Sequence, residues 1–144
     1  MRRAVAVLTL VFAVALTAAT VSAQRRGGDP SARKNPVPAN AASITAGRAL
    51  YNKNCRHCHG LRGKGDGALA PKDPKPADLT DDKWDLGSED GEIFLTIWNG
   101  GPARRGKESE MKGMKGTLAE KEVWQLITYL RSIGPAAGAK AAAK

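Results

Sequence analysis

Apolar side chains near the end of the chain repeat with the period of an α-helix. Four of them stand at positions i, i+3, i+4 and i+7, namely Val123, Leu126, Ile127 and Leu130. This spacing places them on one helix face. The pattern predicts an amphipathic helix that begins at Thr117 or Leu118 and ends at Ser132.

Two further helices are predicted from N-terminal capping residues. Ser43 begins a helix through about Asn54, and Ser88 precedes a shorter helix from Asp90 to Trp98. We find neither an internal repeat nor the alternating pattern of β-strands. The predicted fold class is therefore all-α.

The first 23 residues have the pattern of a secretory signal peptide. Two arginines precede an uncharged run over residues 4–21, and Val21-Ser22-Ala23 provides small residues for cleavage after Ala23. This predicts a periplasmic protein whose mature chain has no membrane span. The alternative is an uncleaved membrane anchor, because the uncharged run is about as long as a spanning helix.

The remaining chain divides by composition into three parts. Residues 24–42 are rich in Gly, Pro, Asn and Arg and are predicted to form a flexible linker. Residues 135–144 form a low-complexity tail. The predicted helices fall within residues 43–134, which we assign to one domain.

This domain has little material for a hydrophobic core. Only 5% of the 144 residues are aromatic, and long segments rich in Gly and Pro separate the helices. Such long loops are unusual in a small helical bundle unless they surround another group. The chain has two cysteines, which excludes a multi-disulfide scaffold and a four-cysteine metal centre.

The sequence Cys55-Arg56-His57-Cys58-His59 carries the candidate chemistry. In an exported protein, a C-x-x-C-H string is the signature of covalent haem c attachment. The two cysteines lie on one side of a helical turn and reach the two vinyl groups of one porphyrin edge. His59 follows them and is the predicted proximal ligand of the iron.

Three other interpretations of this string fit less well. A redox-active C-x-x-C pair requires a βαβ context, which the sequence lacks. A zinc site would crowd four ligands into five residues, which is poor tetrahedral geometry. A disulfide between Cys55 and Cys58 would close too small a loop to constrain the unfolded chain.

Residues 43–134 resemble class I (monohaem) bacterial c-type cytochromes. The resemblance rests on GRALYNKNCRHCHG at 47–60, GKGDG at 63–67, PKPADLT at 74–80 and EVWQLITYLRSIG at 122–134. It implies a small cytochrome c fold of three to five helices, with long loops around one covalently attached haem. It also implies that the first and last helices cross, at Gly47 and Tyr51 on one and Leu126 and Tyr129 on the other.

The resemblance implies that a methionine is the sixth iron ligand. Met111 lies seven residues before Leu118, where the family pattern usually places the ligand, and Met114 then occupies the apolar position three residues later. Lys112 stands where the family commonly has proline, so both methionines remain candidates, with Met111 preferred. No catalytic residues are expected, because two axial ligands leave no site for a substrate.

The resemblance also implies that a proline-loop carbonyl accepts a hydrogen bond from the second ring nitrogen of His59. Pro71, Pro74 and Pro76 are the candidates, and Pro76 is preferred because Pro-Ala-Asp-Leu resembles the family's loop.

The charge of the chain predicts its partners. The formal net charge is +9, which favours redox proteins with acidic docking surfaces over nucleic acid. The expected docking cations are Arg62, Lys64, Lys72, Lys75, Arg104, Arg105, Lys107, Lys112 and Lys115. The predicted function is single-electron transfer between redox enzymes. Alternatives are a dedicated subunit of a dehydrogenase or oxidase complex, and a haem enzyme or gas sensor with a labile sixth ligand.

Overall fold

The computed structural model describes residues 29–82, 84–104 and 106–134. The predicted signal peptide and the low-complexity tail lie outside these residues. The described residues form four α-helices, α1 (Ala41–Asn54), α2 (Arg56–His59), α3 (Asp90–Asn99) and α4 (Glu120–Ile133), and a short 3₁₀ turn at Pro30–Ala32. They contain no β-strand, only isolated bridges, which confirms the all-α prediction. None of the described helices combines the length and apolarity needed to cross a membrane.

The helices begin at residues other than those predicted. Asn40, not Ser43, caps α1, because its side chain accepts the Ser43 N–H at 2.9 Å and Ser43 is buried inside the first turn. Glu89, not Ser88, is the N-cap of α3. The last helix, α4, begins at Glu120, later than predicted, because the Met114 carbonyl accepts two N–H groups in a preceding turn.

α1 crosses α4 in the centre of the domain. Tyr51 and Tyr129 meet there with ring centroids 5.3 Å apart, which confirms this half of the predicted crossing. Gly47 lies against Gln125 and Tyr129: a Cβ atom at Gly47 would overlap the Gln125 carbonyl oxygen and lie 2.8 Å from the Tyr129 Cβ. The absence of a side chain at Gly47 therefore allows the two helices to approach this closely.

α3 packs on α4 through aromatic side chains. The Phe94 ring stacks on Trp124 with centroids 4.4 Å apart and on Trp98 with centroids 5.5 Å apart. Phe94 and Trp124 are both almost fully buried. These stacked rings form the aromatic part of the core between α3 and α4.

The structure packs residues 29–40, most of the predicted flexible linker, against α3 and α4. The Arg33 guanidinium lies 4.8 Å from the Phe94 ring centroid and forms a 3.0 Å ion pair with Glu120. The Asn35 side chain donates to the Trp124 carbonyl at 3.0 Å. The packed part of the chain therefore includes residues upstream of position 43.

Candidate haem site

A largely apolar cavity of about 330 Å³ lies between the helices and the long loops. Its wall includes buried side chains from α1, α3, α4 and the loop after α2, among them Tyr51, Leu79, Ile93, Ile97, Leu126 and Leu130. All four predicted site residues line it, namely Cys55, Cys58, His59 and Met111. The structure thus brings together residues that are up to 56 positions apart in the chain.

The C-x-x-C-H string begins at Cys55, which lies between α1 and α2, and continues through α2 to His59. The Cys55 N–H donates to the Tyr51 carbonyl and ends α1, and the His59 N–H donates to the Cys55 carbonyl in the next turn. The buried Tyr51 hydroxyl donates to the Gly60 carbonyl at 2.6 Å. This hydrogen bond ties the end of the string to α1, a role that sequence analysis missed because tyrosine at this position predicts packing alone.

The two cysteines are free thiols on the wall of the cavity. Burial, with a smaller contribution from Cys58, raises the pKa of the Cys55 thiol to about 12. The described residues around them form helices and loops without a β-strand, so the βαβ context of a thioredoxin-like redox pair is not found there.

The imidazole of His59 is oriented by a backbone carbonyl. Its Nδ1 lies 3.1 Å from the Ala77 carbonyl oxygen, so the preference for Pro76 is wrong by one residue. The Pro76 carbonyl faces Gly65 instead, where a Cβ atom would overlap it. Since a carbonyl accepts only, Nδ1 carries the proton and Nε2 keeps its lone pair for a metal. Burial also lowers the pKa of His59, which favours the neutral imidazole.

Both methionines of the loop between α3 and α4 reach the cavity. The Met111 carbonyl accepts the Gly101 N–H at 3.0 Å, and the Met114 N–H donates to the Ile97 carbonyl at 2.9 Å. Both side chains are half-buried in the wall. The backbone therefore presents two thioether groups to the same cavity.

Three of the nine predicted docking cations form ion pairs within the chain. Lys64 pairs with Asp78 at 3.2 Å, Arg104 with Asp85 at 3.0 Å and Lys107 with Asp73 at 3.0 Å. Arg105 lies outside the described residues. Five cations remain exposed, with no carboxylate within ion-pair distance in the part of the chain that the structure describes: Arg62, Lys72, Lys75, Lys112 and Lys115.

The arrangement fits a covalently attached haem. Two thiols at one corner, an imidazole with a free Nε2 and the thioether groups surround an apolar cavity. Covalent haem c attachment uses two cysteine thiols and the histidine that follows them, and an apolar wall suits the porphyrin.

Comparisons with known proteins agree with this geometry. The family model described as cytochrome c matches residues 44–134. The chain is 29% identical over 113 residues to the Cbb3-type cytochrome c oxidase subunit CcoP of Azospirillum sp., an alignment covering 71% of this chain and 35% of the relative. For the same subunit of Azospirillum brasilense the identity is 28%, with 72% and 35% covered. The chain thus spans about a third of the length of these relatives.

Solved structures with the same fold include a chain of a protein complex and two cytochromes cL. A chain of the reducing HAO-like protein complex of Kuenenia stuttgartiensis superposes with a TM-score of 0.59 at 28% identity, covering 69% of this chain and 47% of that chain. Cytochrome cL from Methylophaga aminisulfidivorans gives a TM-score of 0.53 at 28% identity, covering 70% and 61%. Cytochrome cL from Hyphomicrobium denitrificans gives 0.53 at 25% identity, covering 80% and 59%.

The family match covers the cavity wall, the C-x-x-C-H string and both methionines. We conclude that the chain belongs to the cytochrome c family and carries one covalently attached haem c.

Proposed function

We propose that this protein is an exported, periplasmic single-electron carrier whose haem iron is bound by His59 and Met111. The observation that carries the proposal is the presence of an imidazole and thioether groups on the wall of the cavity that also holds Cys55 and Cys58. When bound, the haem supplies a one-electron iron couple.

Each part of the chain has a separate task in this proposal. Cys55 and Cys58 would form the thioether links to the haem, and His59 and Met111 would ligate its iron. With two protein ligands the iron would have no open site for a substrate, so the protein would transfer electrons and catalyse no reaction of its own. The apolar wall excludes water from the site, which is one of the ways a protein adjusts a haem potential.

The second candidate function is that of a dedicated subunit in a redox complex. The relatives are named as oxidase subunits, and one structural neighbour belongs to an HAO-like complex. A permanent subunit and a diffusing carrier share the same haem site but differ in how they meet their partners. A haem enzyme or gas sensor is disfavoured because two methionines line the cavity.

The dependence of the rate on salt separates these candidates. We expect electron transfer to an acidic acceptor to be fastest at low ionic strength. It should slow steeply as the screening length falls from about 30 Å at 0.01 M salt to about 8 Å at 0.15 M. Stopped-flow kinetics of the purified protein measures this. A rate that is independent of salt would contradict the diffusing carrier and favour the permanent subunit.

Two exposed lysines on the cavity wall provide the matched variants. Reversing Lys75 and Lys112 to Glu should slow association at low salt and leave the reduction potential nearly unchanged, because charges at an interface rim act mainly on the association rate. The control reverses Arg48 and Lys121, which are exposed in α1 and α4, do not line the cavity and remove the same net charge. Equal slowing in both variants would mean that only the total charge matters.

A further inference from the structure

Two loops meet beside His59. One is the GKGDG loop at 63–67, and the other is the Ala77–Thr80 segment, which includes the carbonyl that accepts from the His59 ring. The Leu79 N–H donates to the Gly63 carbonyl at 2.7 Å. A Cβ atom at Gly65 would lie 3.4 Å from the Ala77 carbonyl oxygen, so the two backbones are in direct contact.

These loops hold His59 from two sides. The Gly65 N–H donates to the His59 carbonyl at 2.9 Å, and the Ala77 carbonyl accepts from the ring at 3.1 Å. The position of the Ala77 carbonyl relative to the imidazole therefore depends on how firmly one loop is attached to the other.

Lys64 and Asp78 join the two loops through side chains. The Lys64 ammonium forms a 3.2 Å ion pair with Asp78 Oδ2 and also donates to the Thr80 hydroxyl. Asp78 Oδ1 accepts the Thr80 N–H at 2.8 Å. Desolvation raises the pKa of Asp78, but the hydrogen bonds from Thr80 and Lys64 outweigh it and lower the pKa overall. Asp78 is therefore ionised at neutral pH.

We propose that Lys64 and Asp78 are positioning residues that hold the Ala77 carbonyl on the His59 ring and thereby lower the reduction potential of the haem. This inference rests on the proposed function, because it requires His59 to bind the iron. It also removes Lys64 from the docking cations, since its charge is used within the chain.

The direction of the effect follows from the hydrogen bond. A carbonyl that accepts from Nδ1–H makes the imidazole a more basic ligand, which stabilises the oxidised iron. Weakening this hydrogen bond therefore raises the potential. A simple charge effect of Lys64 has the opposite sign, because removing a cation near the haem disfavours the reduced state and lowers the potential.

The opposite signs make the experiment decisive. The variants are Lys64→Met, Asp78→Asn and the double variant, in which the charge changes cancel; the asparagine amide oxygen remains available to accept the Thr80 N–H. The control is Lys34→Met with Glu89→Gln, which breaks an exposed 2.8 Å ion pair beside α3 and also preserves net charge. The measurements are the reduction potential and the hyperfine-shifted His59 Nδ1–H resonance.

We expect both Lys64→Met and the double variant to raise the potential and shift the Nδ1–H resonance. Lys64→Arg keeps the positive charge and should retain the wild-type potential and resonance. The control pair should leave the potential and the resonance unchanged. A fall in potential for Lys64→Met, together with no change in the double variant, would show that Lys64 acts only through its charge. This result would overturn the inference. The proposed function fails separately, through a wild-type spectrum without His/Met ligation.

Discussion

A Gly47→Ala variant should lose about 3 kcal/mol of unfolding free energy, the upper end of the usual cost of overpacking. The added methyl group would overlap the Gln125 carbonyl oxygen, and backbone cannot move aside as a flexible side chain can. α1 and α4 must then separate, which also disturbs the contact between Tyr51 and Tyr129. Guanidinium unfolding of the haem-containing protein measures this change.

The control for this prediction is Ala49→Gly in the same helix. Ala49 is exposed, so its replacement tests helix propensity alone and should cost about 1 kcal/mol. Propensity acts in the opposite direction at position 47, where alanine is the better helix former. A Gly47→Ala variant that is as stable as the wild type would therefore contradict the close crossing of α1 and α4.

A Met111→Ala variant should lose the near-infrared sulfur-to-iron band of the oxidised protein. Its reduction potential should fall, because a thioether ligand raises the potential of a His-bound haem. Met114→Leu should keep the band, since leucine preserves the apolar packing of that side chain against the core. Near-infrared absorption of the oxidised variants measures both outcomes.

Either result of comparing the Met111→Ala and Met114→Leu variants is informative. Both line the cavity, so the variant that loses the band identifies the ligand. Loss of the band in Met114→Leu and its retention in Met111→Ala would show that the register argued from Leu118 is wrong.

The residues that attach the haem could be predicted because they are close together in the sequence. Cys55, Cys58 and His59 are close in the chain, and the apolar period of α4 is strong enough to predict a helix from the residues alone. The crossing at Tyr51 and Tyr129 came from the family resemblance, since periodicity does not say which helices meet.

The errors concern features that depend on contacts distant in the chain. Asn40 and Ser43 are both good N-caps, and only the packing of Ser43 inside the domain decides between them. The hydrogen bond from His59 goes to Ala77 because the neighbouring Pro76 carbonyl faces Gly65. A backbone carbonyl carries no sequence signal, so the resemblance located the loop but not the residue.

The composition of residues 29–40 also gave no sign of their packing. The segment is rich in proline and polar residues, yet Arg33 stacks on Phe94 and Asn35 bonds to α4. Likewise, a count of lysines and arginines could not show that Lys64, Arg104 and Lys107 are paired within the chain. In each case the partner lies far along the sequence.

A potentiometric titration of the purified haem-containing protein, followed by visible and near-infrared absorption, tests the central claim most directly. A single-electron carrier with His59 and Met111 as ligands should give one wave with the slope of a one-electron couple. The sulfur-to-iron band should be present in the oxidised protein and disappear in step with reduction. An oxidised protein that lacks this band or has the spectrum of an open sixth position would contradict the account.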